Sequence, residues 1–355
     1  MKTISKLARI ILFLVVTKGL SQKNEILNKQ IDSLLTNKNQ INVINGNVLV
    51  IQNNEILYEN SFGFAQSNRK IKLTKDFKFL IGSIYKEFPA VAIMQLSEKG
   101  LIDIEDNIDK YISELPLWSK NISIKNLLQY SAGLPDIQTK KYPSEKIITT
   151  KDIFNDLLNI QNLIYKPGTD YIYTNYSPLL LMKIVENVSG KTFNEYSKTF
   201  LFSSDNINIK TQYPYIEKDN LALSFNNEFT ADNFKLEIPF LFVSNSYGLY
   251  EWFKRIDENS LINENSKLFL GKTANILSDK SMQSPFGKLY LTKQFASREN
   301  IVAEHTHDGS FGNFKCIARR FSKENITIII LTNQNTNNIY EISEEIYKLV
   351  NKKKK

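Results

Sequence analysis

Ser83-Ile84-Tyr85-Lys86 places a hydroxyl and an amine three residues apart. A serine hydroxyl is a weak nucleophile until a neighbouring base removes its proton. Three residues along a helix is close to one turn, so Lys86 stands beside Ser83. Burial favours the neutral amine and makes Lys86 a usable base. At a helix start, free backbone N–H groups and the helix dipole favour negative charge developing on oxygen. Ser67 and Lys70 have the same spacing, but they lie in a polar stretch with no apolar helix behind it. The plainer alternative for Ser83 is an N-cap, with Lys86 in solvent.

Two further groups could complete this chemistry. Tyr173-Thr174-Asn175 follows the turn Pro167-Gly168-Thr169 and precedes an apolar run. In an extended loop, side chains two apart point the same way. Tyr173 then offers a phenolate base, and Asn175 an amide that orients it or the substrate; an ordinary interface aromatic is the alternative. In His307-Asp308-Gly309-Ser310, Gly309 would let a substrate backbone approach a strand. A donor from His307 and the Ser310 N–H would complete an anion pocket. His305 and His307 are the only histidines. With Glu304 or Asp308 they also admit a metal reading, although no third well-spaced ligand accompanies them.

The elements that must position these residues are legible from periodicity. Ile26 to Leu35 has helical spacing, and Val48 to Gln52 and Glu55 to Tyr58 flank Asn53-Asn54 as a hairpin. A helix opens at Ser83 and stops at Gly100, with Pro89 predicting a kink in its second turn. Short helices and Gly/Pro turns fill 101–240; the clearest helix is Ser177 to Val188, and another short one follows at Leu249 to Ile256. Strands return at Ile301 to Glu304, Lys315 to Phe321 and Ile326 to Leu331, the last apolar enough for burial on both faces. Ile339, Ile342, Ile346 and Leu349 mark an amphipathic closing helix. With strands at both ends, the expected fold is α/β (α+β): one antiparallel sheet from both chain ends, flanked by terminal helices, with a helical subdomain over roughly 101–240 and a cleft between.

Composition bounds the function. The 355 residues, 42% of them hydrophobic, suffice for one large domain over 22–351. The formal net charge of +8 comes from Lys2, Lys6, Arg9 and Lys18 and from the tail Lys352 to Lys355. Without these the bases and acids balance, so nothing demands a nucleic-acid partner. Residues 1–21 read as a secretion signal: a basic start, an apolar run Ile10 to Val16, and small residues Gly19 and Ser21. The run is shorter than the ~20 residues of a permanent span, so no stable membrane span is expected after cleavage; an uncleaved interfacial helix is the alternative. Cys316 is the sole cysteine, flanked by apolar residues, and reads as a buried thiol with no disulfide.

In this order the motifs resemble the serine β-lactamase and penicillin-binding protein superfamily, in its class C and esterase-like branch. The likeness runs from about Val43 to the C-terminus. Its carriers are Phe79 to Lys86, continued through Gln95 to Gly100 and Leu101 to Asp106; then Ile122 to Leu128 with Ser131 to Pro135; then Tyr165 to Thr169 with Tyr173-Thr174-Asn175; then His307-Asp308-Gly309. The resemblance implies Ser83 as nucleophile, Lys86 and Tyr173 sharing the base role, and Asn175 contacting the substrate or Lys86. His307 and Gly309 would face the substrate, and the backbone N–H groups of Ser83 and Ser310 would form the oxyanion hole. It implies acyl transfer through a seryl ester on a small-molecule or peptide substrate, with no metal or cofactor; the export signal places this activity outside the cytoplasm, in the periplasm or the exterior. Gln129-Tyr130 stands where relatives usually carry Thr-His. His307 replaces the lysine of strong β-lactamases, which favours an esterase or peptidase. These departures also leave room for a non-catalytic ligand- or peptidoglycan-binding protein on the same scaffold.

Overall fold

The computed structural model describes residues 25–36, 44–203, 207–212, 220–272, 282, 284–289, 305–335 and 338–351. Residues 1–21, the strand expected at Ile301 to Glu304 and the tail Lys352 to Lys355 lie outside the described residues.

A helix α1 over 25–35 leads into the ribbon β1 (Gly46–Gln52) and β2 (Glu55–Phe62). Asn53 and Asn54 join them with φ of 52° and 65°, the pair of positive values that a two-residue hairpin turn requires. Next come β3 (Phe79–Leu80), a 3₁₀ turn over Gly82–Lys86, and α2 (Glu87–Glu98). The middle of the chain carries α3 (Ile124–Leu128), β4 (Ile148–Thr149), α4 (Thr150–Leu158), α5 (Tyr176–Ser189), α6 (Phe193–Tyr196), β5 (Ile209–Thr211), β6 (Leu236–Glu237) and β7 (Phe242–Ser244). The last part holds α7 (Ser246–Asp257), α8 (Glu264–Leu270), β8 (Lys288–Leu289), β9 (His305–Phe311), β10 (Phe314–Phe321), β11 (Ile326–Thr332) and α9 (Ile339–Asn351).

The principal sheet has the order β2-β1-β11-β10-β9-β8, antiparallel throughout. Both ends of the chain therefore meet in one sheet, as the strand distribution predicts. β11 is buried at every position, which a central strand covered on both faces needs. One face packs on α1 and α9 through Ile31, Leu35, Ile317, Ile328 and Ile346. The other packs on α2, α7 and the helical middle through Leu49, Phe88, Trp252, Cys316 and Ile329.

Two local expectations change. Ser83 does not open an α-helix; it sits in the 3₁₀ turn, and α2 begins at Glu87. Pro89 is then the third residue of α2, where its missing N–H has no intrahelical acceptor to lose, so no helical hydrogen bond is forfeited there.

At the end of β11, Asn333 ties the sheet to the loops around it. Its Nδ2 donates to the carbonyls of Phe64, Ala65 and Leu223, and its Oδ1 accepts from Asn45 Nδ2 at 2.5 Å. Asn333→Ala removes four hydrogen bonds: the Phe64 carbonyl keeps Asn45 Nδ2 and the Ala65 carbonyl keeps the Leu223 N–H, while the Leu223 carbonyl loses its Asn333 donor. A loss of about 2–3 kcal/mol is expected in chemical denaturation, and a change below about 0.5 kcal/mol would refute this account of the junction.

Candidate active site

Position i and i+3 eclipse one another in a 3₁₀ turn, and here they are Ser83 and Lys86. Lys86 Nζ lies 3.0 Å from Ser83 Oγ. The lysine is only 3% exposed. Burial pushes its ammonium down to about 7, against the opposing pull of Asp136 and Asp308. Its Nζ also stands 4.8 Å from the ring centroids of Tyr85 and Tyr173. Aromatic faces hold the amine in place without supplying the carboxylate that would fix its charge.

Tyr173 is hydrogen-bonded to Ser83, and burial pushes its phenol well above the ordinary value. The loop that carries it is fastened on both sides. Ile172 N–H donates to the Tyr130 carbonyl, and Thr174 Oγ1 donates to the Pro135 carbonyl at 2.7 Å. Tyr130, the departure noted in the sequence, lays its ring 4.8 Å from that of Tyr173. Asn175 precedes the first turn of α5 and accepts from Tyr85 Oη at 2.9 Å through Oδ1. With the carbonyl oxygen so occupied, the amide NH₂ is the end free to act as a donor.

Gly309 admits a backbone, but that backbone is the protein's own. A Cβ at Gly309 would lie 2.0 Å from the Ile81 carbonyl oxygen and 2.9 Å from Ser83 N. Across the same contact, a Cβ at Gly82 would lie 2.4 Å from Ser310 N. The turn that carries Ser83 therefore rests directly on β9, and the N–H groups of Ser83 and Ser310 flank this seam. Cys316 Sγ lies behind it, buried and 3.0 Å from the Ile81 carbonyl. Burial raises its thiol far above the ordinary value.

His307 takes a different place from the expected one. Its imidazole is 3% exposed and is absent from the pocket lining. Nδ1 meets Glu87 Oε1 at 2.6 Å. His305 Nε2 meets the same oxygen at 2.9 Å, and Trp252 Nε1 donates to Oε2 at 2.6 Å. Burial would raise the Glu87 carboxyl, but His305 and His307 outweigh it and hold the group at about 2. The two histidines thus serve a carboxylate rather than a metal ion or an anion pocket. Among the described residues, no cluster of three His, Cys, Asp or Glu is placed to hold a metal.

The pocket in front of Ser83 has a volume of about 260 Å³. Ser83, Lys86, Tyr173, Asn175 and Ser310 form its polar side; Leu80, Phe240, Leu241 and Phe311 form its apolar wall, and Asp136 stands at the rim. Larger clefts exist elsewhere, one between α4, α5 and α6, but neither of the two contains a serine beside a base. Sequence reasoning missed Tyr85, Glu87, Tyr130 and Asp136. Tyr85 and Glu87 adjoin Lys86 in sequence, and an acid inside an apolar helix start was the available signal.

Glu87→Ala leaves three buried donors without an acceptor, and about 3–5 kcal/mol of destabilisation is expected by chemical denaturation. Glu87→Gln, which keeps the volume and one acceptor, should cost less than Glu87→Ala; equal losses would show that the charge, not side-chain volume or a single retained acceptor, decides stability here.

A family model described as Beta-lactamase matches residues 31–349. Penicillin-binding protein 4* of Bacillus subtilis (strain 168) is 31% identical over 179 residues, 49% of this chain and 39% of that protein. The chain thus spans well under half of that relative. The putative penicillin-binding protein PbpX of the same organism is 27% identical over 354 residues, 95% of this chain and 83% of that protein. The crystal structure of a penicillin-binding protein from Bacillus halodurans superposes with a TM-score of 0.72 at 18% identity, over 92% of this chain and 98% of the other. The fold is that of the serine β-lactamases and penicillin-binding proteins.

Proposed function

The chain belongs to the Beta-lactamase family, and from that premise we propose that it is a serine hydrolase that forms an acyl-enzyme at Ser83 with an ester or amide. The observation that carries the reading is the 3.0 Å contact of Lys86 Nζ with Ser83 Oγ, made by an amine held near neutrality by burial. An ordinary surface lysine would be charged at pH 7 and unable to take a proton.

The reaction runs as follows. Neutral Lys86 accepts the Ser83 proton while Oγ attacks the acyl carbonyl. The resulting oxyanion is met by the backbone N–H groups of Ser83 and Ser310, fixed by the Gly82–Gly309 contact before any substrate arrives. Lys86, now charged, returns the proton to the leaving group. Water then attacks the seryl ester with the same lysine as base; the acyl C–Oγ bond breaks, Lys86 passes that proton to Ser83 Oγ, and the acid is released. Burial keeps Tyr173 a phenol, which suits it to donate along this path rather than to start it. Gly309 acts through the seam rather than by touching substrate, and His307 acts through Glu87. The Asn175 amide is turned toward the acyl group. The basic and apolar pattern of residues 1–21 supports export, to the periplasm or the exterior, with no nucleic-acid partner. Among the described residues no helix is long and apolar enough to cross a membrane.

A fluorophosphonate probe is expected to modify Ser83, seen as one added mass, and Ser83→Ala to abolish it. Labelling of the alanine variant would reject the assignment. The probe's second-order rate should climb with pH through about 7, because the reactive form is the deprotonated amine: low pH charges Lys86 and slows the reaction. Lys86→Ala should slow it by roughly 10² or more. A rate that is level or falls between about pH 6 and 8 would remove Lys86 from the base role.

A further inference from the structure

We infer that this pocket selects substrates whose acyl group carries a positive charge, with Asp136 as the group that meets it; the inference rests on the serine-hydrolase reading above. Among the described lining residues the only cation is Lys86, and that lysine must be neutral to act as base. It cannot also grip a substrate carboxylate. His307, the donor that the sequence offered for an anion pocket, is buried against Glu87 and does not line the pocket. What remains at the mouth is a carboxylate.

Asp136 is well placed for this task. Its neighbour Pro135 is bonded through its carbonyl to Thr174 Oγ1 at 2.7 Å, which fixes the Asp136 backbone to the Tyr173–Asn175 segment. Asp136 Oδ1 accepts the Ile137 N–H at 2.8 Å, which sets the orientation of the carboxylate. The side chain is solvent-exposed while still lining the pocket. Asp308, on β9 beside Gly309, adds a second negative charge felt at Lys86. The apolar wall of Leu80, Phe240, Leu241 and Phe311 fits a short hydrocarbon body between the scissile carbonyl and that charge. A fixed negative potential at the mouth attracts cations and repels anions before contact.

The test uses the full chain and three nitrophenyl esters of matched length: 4-(trimethylammonio)butanoate, its uncharged isostere 5,5-dimethylhexanoate, and glutarate. Ser83 acylation is followed by intact mass, and each rate is divided by the ester's hydroxide hydrolysis rate. The cationic ester should exceed the uncharged one by about fivefold, the scale of one exposed ion pair, with glutarate slowest. Added salt should shrink this ratio toward one, because the carboxylate is exposed. Asp136→Asn should bring the ratio near one without salt. A ratio at or below one in the parent chain overturns the inference, as does a ratio unchanged in Asp136→Asn or unmoved by salt; the salt series does not depend on the variant's folding. Acylation by the uncharged ester without charge preference leaves the hydrolase reading standing and sinks this one alone. Absence of acylation by all three esters overturns both.

Discussion

A single buried carboxylate holds the candidate active site in register. Glu87 is fully enclosed, and an enclosed charge is tolerable only when donors surround it. Its donors come from β9 and α7, elements far apart in sequence. The residue directly before it is Lys86. Anchoring Glu87 fixes the rotation of the chain at the start of α2, and Lys86, about 100–120° around the axis from it, is thereby turned toward Ser83. Phe253 stacks on His305 at 4.2 Å and keeps that imidazole in the plane it needs. The polar cluster is thus wrapped in apolar packing, the condition under which hydrogen bonds are strongest and loss of one partner is most damaging.

The second constraint is steric. The Ser83 turn and β9 touch backbone to backbone, with a glycine on each side. Any larger residue at either position would force the two segments apart. Glu87 draws the segments together and the glycines allow them to meet, so attraction and clearance are provided by different residues. The electrostatic character of the pocket follows from the same arrangement. Binding His307 to Glu87 takes a donor away from the pocket, and the mouth is left to Asp136.

Much of this was legible in the sequence. The serine, lysine and phenol of the candidate site stand out by spacing and by the elements next to them, and Lys86 and Tyr173 do meet Ser83. Strands at both ends predict the sheet that β1 and β11 form. The parts that were not legible share one property: they depend on partners remote in sequence. Glu87 meets His307 across 220 positions, and no local pattern encodes that pairing. His307 on a strand could face substrate or core equally well by alternation; only the location of Glu87 decides it. The 3₁₀ turn at Ser83 also escaped, because an i, i+3 spacing suits both helix types and the choice is made by the contact with β9. Asp136 lies in a loop without periodicity, where spacing carries no information about what faces the pocket.

The pairing of β1 with β11 sets an order of events. β1 spans Gly46–Gln52, and its partner spans Ile326–Thr332. During synthesis the serine emerges long before the strand it rests on. Closing so large a loop is slow, since distant pairings return nothing until both ends are present. A nascent or truncated chain therefore holds Ser83 on a turn with no seam behind it and no carboxylate cage to aim Lys86. On the proposed chemistry, the site is complete only once the last strands are in place, and an interrupted polypeptide lacks it.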